Sequence, residues 1–533
     1  MIRAVEAAAA LALAPLLAHV LFSWIGFNPT DDGFVLAGAR RILEGQIPHR
    51  DFISIRPAGS FLLHAPEVWL GGERVILLSR AVFWFEIAAG AWGWTLLLEW
   101  ARGRPFAPGT RLAVAGYGFA LNAHIFPAMA WHSVDAATLA AAGLALAARS
   151  AGWGKLAGYA VLGLSPLCRQ NFLPMVPLGV LLLGDRRRPW CWAAAFFPIS
   201  IYVAVISALG GWHDLRVQLG ARVDLLEPGV LAFVRLRETW VGLAAGALAA
   251  GLAGWRRDGA LRAAASRLGA VVAGAIVFAG AASLWNGSLQ AGTAFFLWGA
   301  ALGVAAAGTV SGRVRAAGLW LAPAAGWCGA VSFGYNTPVL LAGALAGVPL
   351  ALAIAALEDA RSRAAGWLAV PAAVLALGAL AHARPLHVYR DLPAVALGED
   401  LGAVLPGGRG IRTNANTARF MASLGEAVSR CGSRPYAVVP DCAAWWVRGA
   451  SVNPLPGDWL SNTEISEPDL FIRVVKALEA GRGRRYVILQ KVRSDSIAWE
   501  RRPLRDLVTY AIADYVRKAF RKTGETGDFE IYY

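Results

Sequence analysis

Two adjacent carboxylates stand directly after the first long apolar segment of the chain. They are Asp31 and Asp32, in the stretch from Asn28 to Phe52 that reads NPTDDGFVLAGARRILEGQIPHRDF. A helix that leaves a membrane needs no acidic residue at its exit, because the charge preference beside membrane spans concerns Lys and Arg. A carboxylate here could act as a general base that takes the proton from an attacking hydroxyl or amine. The alternative is that Asp31 only caps the helix that follows, since Asp accepts backbone N–H bonds at a helix start.

Further polar groups in this first loop and in three later segments also stand beside apolar stretches. Ionisable residues at membrane depth are costly and usually face a cavity or a partner. An arginine can hold a phosphate through forked hydrogen bonds and keeps its charge when partly desolvated. We therefore predict a cavity that binds an anionic ligand and acts on it, with Asp31 as base and Arg169 as the leading phosphate ligand. The supporting candidates are Asp32, Arg50, Asp51, Arg56, His132, Asp135, Asn171, Tyr335 and Asn336.

Several of these candidates have a structural alternative. Arg169 could lie at a helix end, with its stem in lipid and its charge at the interface. Asp135 could be the N-cap of a helix that begins at Ala136. For His132 we favour a packed interfacial ring. A divalent metal could bridge Asp31 and Asp135, but two carboxylates alone hardly make a site for a hard cation, so we predict no metal and no other cofactor.

The composition indicates which class of protein must position these residues. Of 533 residues, 57% are hydrophobic and only 16% are charged, with 22 Trp. These values differ from those of an average soluble domain and indicate a polytopic membrane protein. The net charge of +15 comes from Lys and Arg in short clusters between apolar runs. Such clusters are typical of membrane topology, and we expect no nucleic-acid partner.

Apolar stretches long enough for a bilayer core predict an α-helical protein with about thirteen membrane crossings. A cytoplasmic N-terminus places the basic clusters inside, as the positive-inside rule requires, and the conspicuous polar residues outside. We expect the first span to be retained, because it shows no clear small-residue cleavage site. Richness in Ala, Gly and Arg favours a bacterial source, and hence the bacterial inner membrane. The expected spans are 5–25, 77–100, 112–129, 136–148, 156–167, 172–183, 190–209, 240–254, 268–284, 291–310, 317–333, 339–357 and 368–381.

A change of composition after about residue 382 divides the chain. Residues 1–382 are expected to form the transmembrane domain, with a first external loop at 26–76. Residues 383–533 are expected to form a soluble α/β domain outside the membrane. Within it, apolar bursts predict strands and amphipathic stretches predict helices. The predicted strands are 436–439 and 486–489, and the predicted helices are 469–478 and 507–520.

Two of the five cysteines, Cys431 and Cys442, lie in the C-terminal region. In an oxidising compartment this pair could form a disulfide that closes a short loop. Two free thiols are the alternative, because two cysteines alone are weak evidence for a bridge.

The first loop resembles a known family. An acidic pair after the first helix, an aromatic residue, GARRILEG, a basic residue and DF are similar to the GT-C membrane glycosyltransferases. Within these, the chain is closest to the branch of protein O-mannosyltransferases and lipid A aminoarabinose transferases. The resemblance covers roughly Asn28 to Pro177. It implies transfer of a sugar, with inversion, from a polyprenyl-phosphate donor to a lipid, polysaccharide or protein acceptor on the periplasmic face.

The resemblance also assigns roles. It implies that Asp31 is the catalytic base and that Asp135 matches the second external acidic position of the family. It implies that the segment RQNFLP, from Arg169 to Pro174, places a basic residue near the lipid phosphate. The first loop departs from many relatives, because it reads SIRPAG where they have a lysine before paired prolines. The chain also has no HxExR-like signature, so protein O-mannosylation is disfavoured.

Two other classes compete with the enzyme. A transporter or lipid flippase could use the same polar cavity for recognition alone. Transporters are often built from internal repeats, and the two halves of this chain show none. A non-catalytic assembly partner that retains the fold is a third class, against which the intact acidic pair argues weakly.

Overall fold

The protein is helical over most of its length and carries a small sheet near its C-terminus. The structure is a computed structural model. It describes all residues except 1, 125–126, 222–225, 255–259, 288, 311–315, 332–336, 361, 363–366 and 505–509.

The larger part of the chain is built from helices. The first of them, α1, continues through one π-helical turn at Ala9–Leu13 into α2. The helices are α1 (Ile2–Ala8), α2 (Ala14–Phe22), α3 (Asp31–Leu43), α4 (Gly59–Leu70), α5 (Val75–Arg102), α6 (Thr110–Ala123), α7 (His132–Arg149), α8 (Gly152–Cys168), α9 (Met175–Leu182), α10 (Pro189–Ala208), α11 (Trp212–Gly220), α12 (Leu226–Arg235), α13 (Arg237–Ala253), α14 (Ala260–Ser283), α15 (Ala291–Val310), α16 (Leu321–Ala330), α17 (Ala342–Asp359) and α18 (Ala369–Leu386).

Seven helical stretches in the described residues are long and apolar enough to cross a membrane. Each predicted span overlaps a helix, which supports the sequence pattern. However, helices such as α9, with 8 residues, are too short for a bilayer core about 30 Å thick. The structure therefore shows helices that could span a membrane, whereas the count of about thirteen crossings remains a prediction. The seven stretches are Ile2–Phe22, Gly72–Arg102, Pro189–Ala208, Leu261–Asn286, Ala291–Gly308, Pro338–Asp359 and Ala369–Leu386.

Small residues allow neighbouring helices to approach closely. A Cβ atom on Gly93 of α5 would lie 3.0 Å from backbone atoms of Ala141 in α7. A Cβ atom on Gly143 of α7 would lie 2.4 Å from the backbone nitrogen of Leu162 in α8. Contacts between small residues are a common basis of helix packing in membranes. Here they hold α5, α7 and α8 together, and these helices carry several of the predicted polar residues.

Basic residues at the far ends of the long helices are partly neutralised by acids. Arg102 at the end of α5 forms an ion pair with Glu358 of α17, with an N–O distance of 2.7 Å. Arg111 of α6 bonds both Glu6 and Glu99 at 2.6 Å. These pairs tie α1, α5, α6 and α17 together at the end of the bundle away from the first loop.

The C-terminal module, residues 387–533, contains a mixed sheet. Its main strands follow the order β3-β4-β6-β5, with β3 and β4 parallel and the other pairs antiparallel. The predicted strands at 436–439 and 486–489 are confirmed, as are the described parts of the two predicted helices. The elements are β1 (Glu399–Asp400), β2 (Arg412–Thr413), α19 (Ala415–Arg430), β3 (Tyr436–Val439), α20 (Ala443–Arg448), α21 (Pro468–Ala480), β4 (Tyr486–Gln490), α22 (Ala511–Ala519), β5 (Lys522–Glu525) and β6 (Phe529–Tyr532).

The module packs directly on α3. The backbone nitrogen of Ala444 donates to the carbonyl of Pro29 at 3.0 Å. Arg41 forms a buried ion pair with Asp458 at 2.6 Å, and Arg40 donates to the Gly449 carbonyl at 2.7 Å. The two arginines of the GARRILEG motif therefore attach the module to the first loop.

Cys431 and Cys442 form no disulfide. The structure therefore supports the alternative of two free thiols over the predicted bridge. Both thiols are free and buried. Cys431 follows α19, and its Sγ lies 3.3 Å from the Ala427 carbonyl of that helix. Cys442 lies beyond β3, directly before α20. Both side chains belong to the same apolar cluster, and strand β3 lies between them in the sequence.

Candidate functional site

Asp31 is the first residue of α3 and is buried, with 2% of its surface exposed. Asn28 provides the hydrogen-bond acceptor for backbone N–H groups at the start of the helix. Its side-chain oxygen accepts from the backbone nitrogens of Thr30 at 3.2 Å and Asp31 at 3.0 Å. The structure therefore does not support the alternative that Asp31 only caps the helix. Its carboxylate remains available for other interactions.

Both interactions of this carboxylate come from the segment that follows α18. The Tyr389 hydroxyl donates to Oδ2 of Asp31 at 2.8 Å, and Nη1 of Arg390 lies 2.8 Å from the same oxygen. Burial raises the pKa of Asp31, while the positive charge of Arg390 and the Tyr389 hydrogen bond oppose this rise. A base with a raised pKa accepts a proton more readily than an exposed aspartate.

Asp32 has a different environment. Its Oδ1 lies 2.8 Å from Nη2 of Arg80, and its Oδ2 accepts from the backbone nitrogen of Asn28 at 2.8 Å. Arg80 also donates to the carbonyls of Ser23 and Gly26, both at 2.7 Å. Asp32 therefore helps to fix the turn between α2 and α3 against α5.

A cavity of about 520 Å³ lies beside these groups. Its walls come from the turn after α2, from α5, and from the end of α18 with the segment that follows. Tyr389 and Arg390, the partners of Asp31, both line it. Its ionisable and imidazole lining residues are Asp32, Arg80, His124, Arg384, His387, Arg390 and Asp391.

The charges of this lining are not equally accessible. Arg80 and Asp32 neutralise each other. Asp391 accepts from Asn414 at 2.6 Å and from the backbone nitrogen of Phe27 at 3.0 Å, so the protein already solvates its charge. Arg384 and Arg390 are the two further arginines of the lining, and Arg390 contacts Asp31. We call this region, formed by Asp31, Tyr389, Arg390, Arg384 and the cavity, the Asp31 site.

Arg384 is positioned by its surroundings in α18. Its guanidinium carbon lies 5.1 Å from the ring centroid of Trp84, and Nη1 donates to the Ala123 carbonyl at 3.0 Å. An arginine stacked on an aromatic ring keeps its charge and retains N–H groups for an anion. The region therefore offers a buried carboxylate next to arginines that face a cavity.

Asp135 belongs to a second group of buried residues. It lies in the first turn of α7, whose N-cap is Trp131, so the alternative that Asp135 caps this helix does not hold. Oδ1 of Asp135 lies 3.2 Å from Nε2 of His64 in α4. Nδ1 of the same ring lies 2.7 Å from Oε1 of Glu67. Glu86 of α5 completes what we call the His64 cluster, which consists of His64, Glu67, Glu86 and Asp135.

Sequence reasoning missed three members of this cluster. Glu86 lies in the apolar run VFWFEIAAG. His64 and Glu67 lie in an apolar stretch of the predicted first loop, which the structure shows as helix α4. The available signal was an acid in the middle of a membrane span, since such residues are rare and usually functional.

His132 packs between aromatic rings, as predicted. Its ring centroid lies 5.9 Å from that of Phe34 and 5.3 Å from that of Phe61, with edge-on geometry in both pairs. Arg56 lies near the same ring of Phe34, at 5.6 Å. Its charge is paired with Glu464 of the C-terminal module at 2.9 Å.

Arg169 and Asn171 lie on the side of His132, away from the lining of the cavity. Arg169 directly follows α8, is buried, and lies within electrostatic range of His132. Asn171 is half-buried in the 3-10 turn Gln170–Phe172. Gln170 donates to the Ile55 carbonyl at 2.8 Å, which joins this segment to the first loop.

The remaining candidates lie elsewhere. Arg50 and Asp51 form a surface ion pair at 2.8 Å, and Asp51 also accepts from the backbone nitrogen of Ile47 at 2.7 Å. Tyr335 and Asn336 lie outside the described residues. The structure thus brings Asp31 and Asp32 close to one cavity and places Asp135 with His64.

Comparisons of the chain with protein-family models, curated proteins and solved structures found no match. Any function assigned to this protein therefore depends on the chemistry of its own residues.

Proposed function

We propose that the protein is a membrane glycosyltransferase of the bacterial inner membrane. It moves a sugar from a polyprenyl-phosphate donor to a hydroxyl or amine of a lipid, polysaccharide or protein acceptor on the periplasmic face. The observation that carries this proposal is the Asp31 site. There the buried carboxylate of Asp31 contacts Arg390, and Arg390 and Arg384 line a cavity of about 520 Å³.

In the proposed reaction Asp31 acts as the general base. The acceptor oxygen or nitrogen attacks the anomeric carbon and gives its proton to Asp31. The bond between the anomeric carbon and the phosphate oxygen breaks, and polyprenyl phosphate leaves with the electron pair. Transfer occurs with inversion, because the attacking and leaving groups lie on opposite faces of the sugar.

The phosphate is assigned to Arg384 and Arg390. Both line the cavity, and guanidinium groups bind phosphate oxygens through paired hydrogen bonds. Arg390 bonds Asp31 at 2.8 Å, so a donor phosphate that attracts this guanidinium would release an oxygen of the base. This assignment replaces Arg169 as leading phosphate ligand, because Arg169 does not line the cavity.

The external position of the site is part of the same proposal. The basic clusters near Arg102 and Arg111 lie at the opposite end of the bundle from the C-terminal module. The preference of Lys and Arg for the cytoplasmic side supports an external position for the Asp31 site and the module.

The test measures sugar transfer by purified protein in nanodiscs, with a panel of polyprenyl-phosphate sugars. Wild type is expected to release polyprenyl phosphate from at least one donor. Asp31→Asn is expected to lower the rate by about 10² to 10⁴, as removal of a general base does. Asp51→Asn is the matched control, because it makes the same change at a half-buried position of the same loop that does not line the cavity.

The alternative is a lipid or solute transporter that uses the cavity for recognition. If no donor is turned over and a labelled lipid or solute crosses vesicles only when the protein is present, the transporter replaces the enzyme. Equal rates for wild type and Asp31→Asn would exclude Asp31 as the base.

A further inference from the structure

The His64 cluster joins four ionisable side chains from three helices. One ligand atom each from His64, Glu86 and Asp135 lies within 4.8 Å of the others. All three residues are buried, and His64 and Asp135 have no exposed surface. The cluster therefore has the dimensions of a site for one small ion.

The cluster contains oxygen atoms that lack a partner. Within the described part of the chain, Oε2 of Glu67, Oε2 of Glu86 and Oδ2 of Asp135 are buried and accept no hydrogen bond. A buried carboxylate oxygen without a donor is costly, because water no longer compensates its charge. These three atoms indicate a missing positive group.

The two contacts of His64 also indicate a cation. Its Nδ1 lies 2.7 Å from Oε1 of Glu67, so this nitrogen carries a proton in both the neutral and the protonated ring. Nε2 faces Oδ1 of Asp135 at 3.2 Å, either as a donor of the protonated ring or with a lone pair that a metal ion separates from the carboxylate. Two acceptors at this distance repel each other unless a proton or a metal lies between them. A histidine that donates one nitrogen to a carboxylate and turns the other to a metal is a common arrangement in metalloproteins.

The net charge of the cluster distinguishes a metal from a single proton. Three carboxylates and a protonated imidazole carry two uncompensated negative charges. Among the described residues, no Lys or Arg forms an ion pair with Glu67, Glu86 or Asp135, although every other acid discussed in the bundle has one. A divalent ion beside a neutral imidazole leaves only one negative charge.

We propose that His64, Glu86 and Asp135 bind one divalent transition-metal ion, with Glu67 orienting His64. The mixed set of one imidazole nitrogen and carboxylate oxygens suits Zn²⁺ and similar ions better than Mg²⁺, which prefers oxygen ligands and retained water. Asp31 takes no part, because its carboxylate is bonded to Tyr389 and Arg390. The ion would fasten α4, α5 and α7, and α4 packs against α3, where Asp31 begins the helix.

The test uses the full-length protein in detergent, stripped with a chelator and then titrated with Zn²⁺ alone. Elemental analysis after removal of free ions is expected to find about one Zn²⁺ per chain. Glu86→Gln and Asp135→Asn are each expected to weaken binding by about 100-fold, and Glu67→Gln by about 10-fold. Glu99→Gln is the matched control on the same helix, because its carboxylate is paired with Arg111 and Arg149.

A second measurement does not depend on the variants. Zn²⁺ is expected to raise the thermal unfolding temperature of wild type, because an ion that binds only the folded state stabilises it. The proposal fails if stripped wild type binds no Zn²⁺ at micromolar concentration, which would leave shared protons as the compensating charge. It also fails if Glu86→Gln and Asp135→Asn bind as much Zn²⁺ as Glu99→Gln, which would place the ion elsewhere.

Discussion

Asp31 and Asp135 are both buried aspartates at the start of a helix, yet the protein surrounds them differently. Asp31 is bonded by a tyrosine and an arginine from a segment that lines a cavity. Asp135 faces a histidine and two further carboxylates, and within the described residues it has no arginine or lysine partner. The comparison shows that burial alone does not define a catalytic acid or base. The position of the compensating charge decides whether a carboxylate can exchange partners with a substrate.

The largest expected difference between the two sites is in catalysis and stability. Asp31→Asn is expected to lower kcat by about 10² to 10⁴, with little change in unfolding temperature, because Asn still accepts from Tyr389. In chelator-treated protein Asp135→Asn is expected to raise the unfolding temperature, since it removes one uncompensated charge. Transfer assays and thermal unfolding of both variants check this. Parallel effects of the two changes on both properties would mean that the sites have the same role.

Substitution of single arginines tests which of them bind the donor phosphate. Arg384→Gln and Arg390→Gln are expected to raise KM for the lipid donor about 10- to 100-fold, because a hydrogen bond to a charged group contributes about 1.5–3 kcal/mol. Arg169→Gln is expected to leave KM unchanged, since Arg169 lies near His132 and not in the cavity lining. Initial rates at varied donor concentration decide the question. A raised KM in Arg169→Gln alone would restore the assignment made from the sequence.

The Asp31 site also depends on the contact between α3 and the C-terminal module. A Cβ atom on Gly33 would lie 2.1 Å from backbone atoms of Ala444, which cannot move aside as a side chain can. Gly33→Ala is therefore expected to destabilise the protein by about 1–3 kcal/mol and to make the module more sensitive to protease. In the control Gly398→Ala the added atom meets nothing within 4 Å. Equal unfolding temperatures for the two variants would contradict the close contact.

The smallest predicted effect is on the pH profile. Burial raises the pKa of Asp31 above its ordinary range. Only the ionised carboxylate can accept the proton, so kcat/KM should fall as the pH drops through this raised pKa. Arg390→Gln removes a positive charge that favours the ionised form, and the acid limb is expected to move upward by about 1 pH unit. A downward movement in the pH profile of this variant would contradict the Asp31–Arg390 contact.

Particular residues show how far the sequence could predict the site. The acidic pair was found because it follows an apolar helix. The structure places Asp32 in the lining of the cavity and Asp31 against Arg390, which also lines it. The roles of the pair could not be separated, because Arg80 is 48 positions from Asp32 and Tyr389 is 358 positions from Asp31 in the chain. Arg384 and Arg390 were missed, since they stand where the last apolar helix ends and resemble ordinary interfacial arginines. Glu86 was missed because its partners come from α4 and α7.

The sequence by itself indicated a membrane protein and the place of its apolar helices. Apolar length and period are local properties, and they also predicted the strands of the C-terminal module. Only the tertiary structure decided which charges meet. The contacts of Asp31 with Tyr389 and Arg390, and of Asp135 with His64, join segments far apart in the chain. Such contacts depend on helix packing and on the docked module, because the energy of a buried charge is set by its neighbours in space.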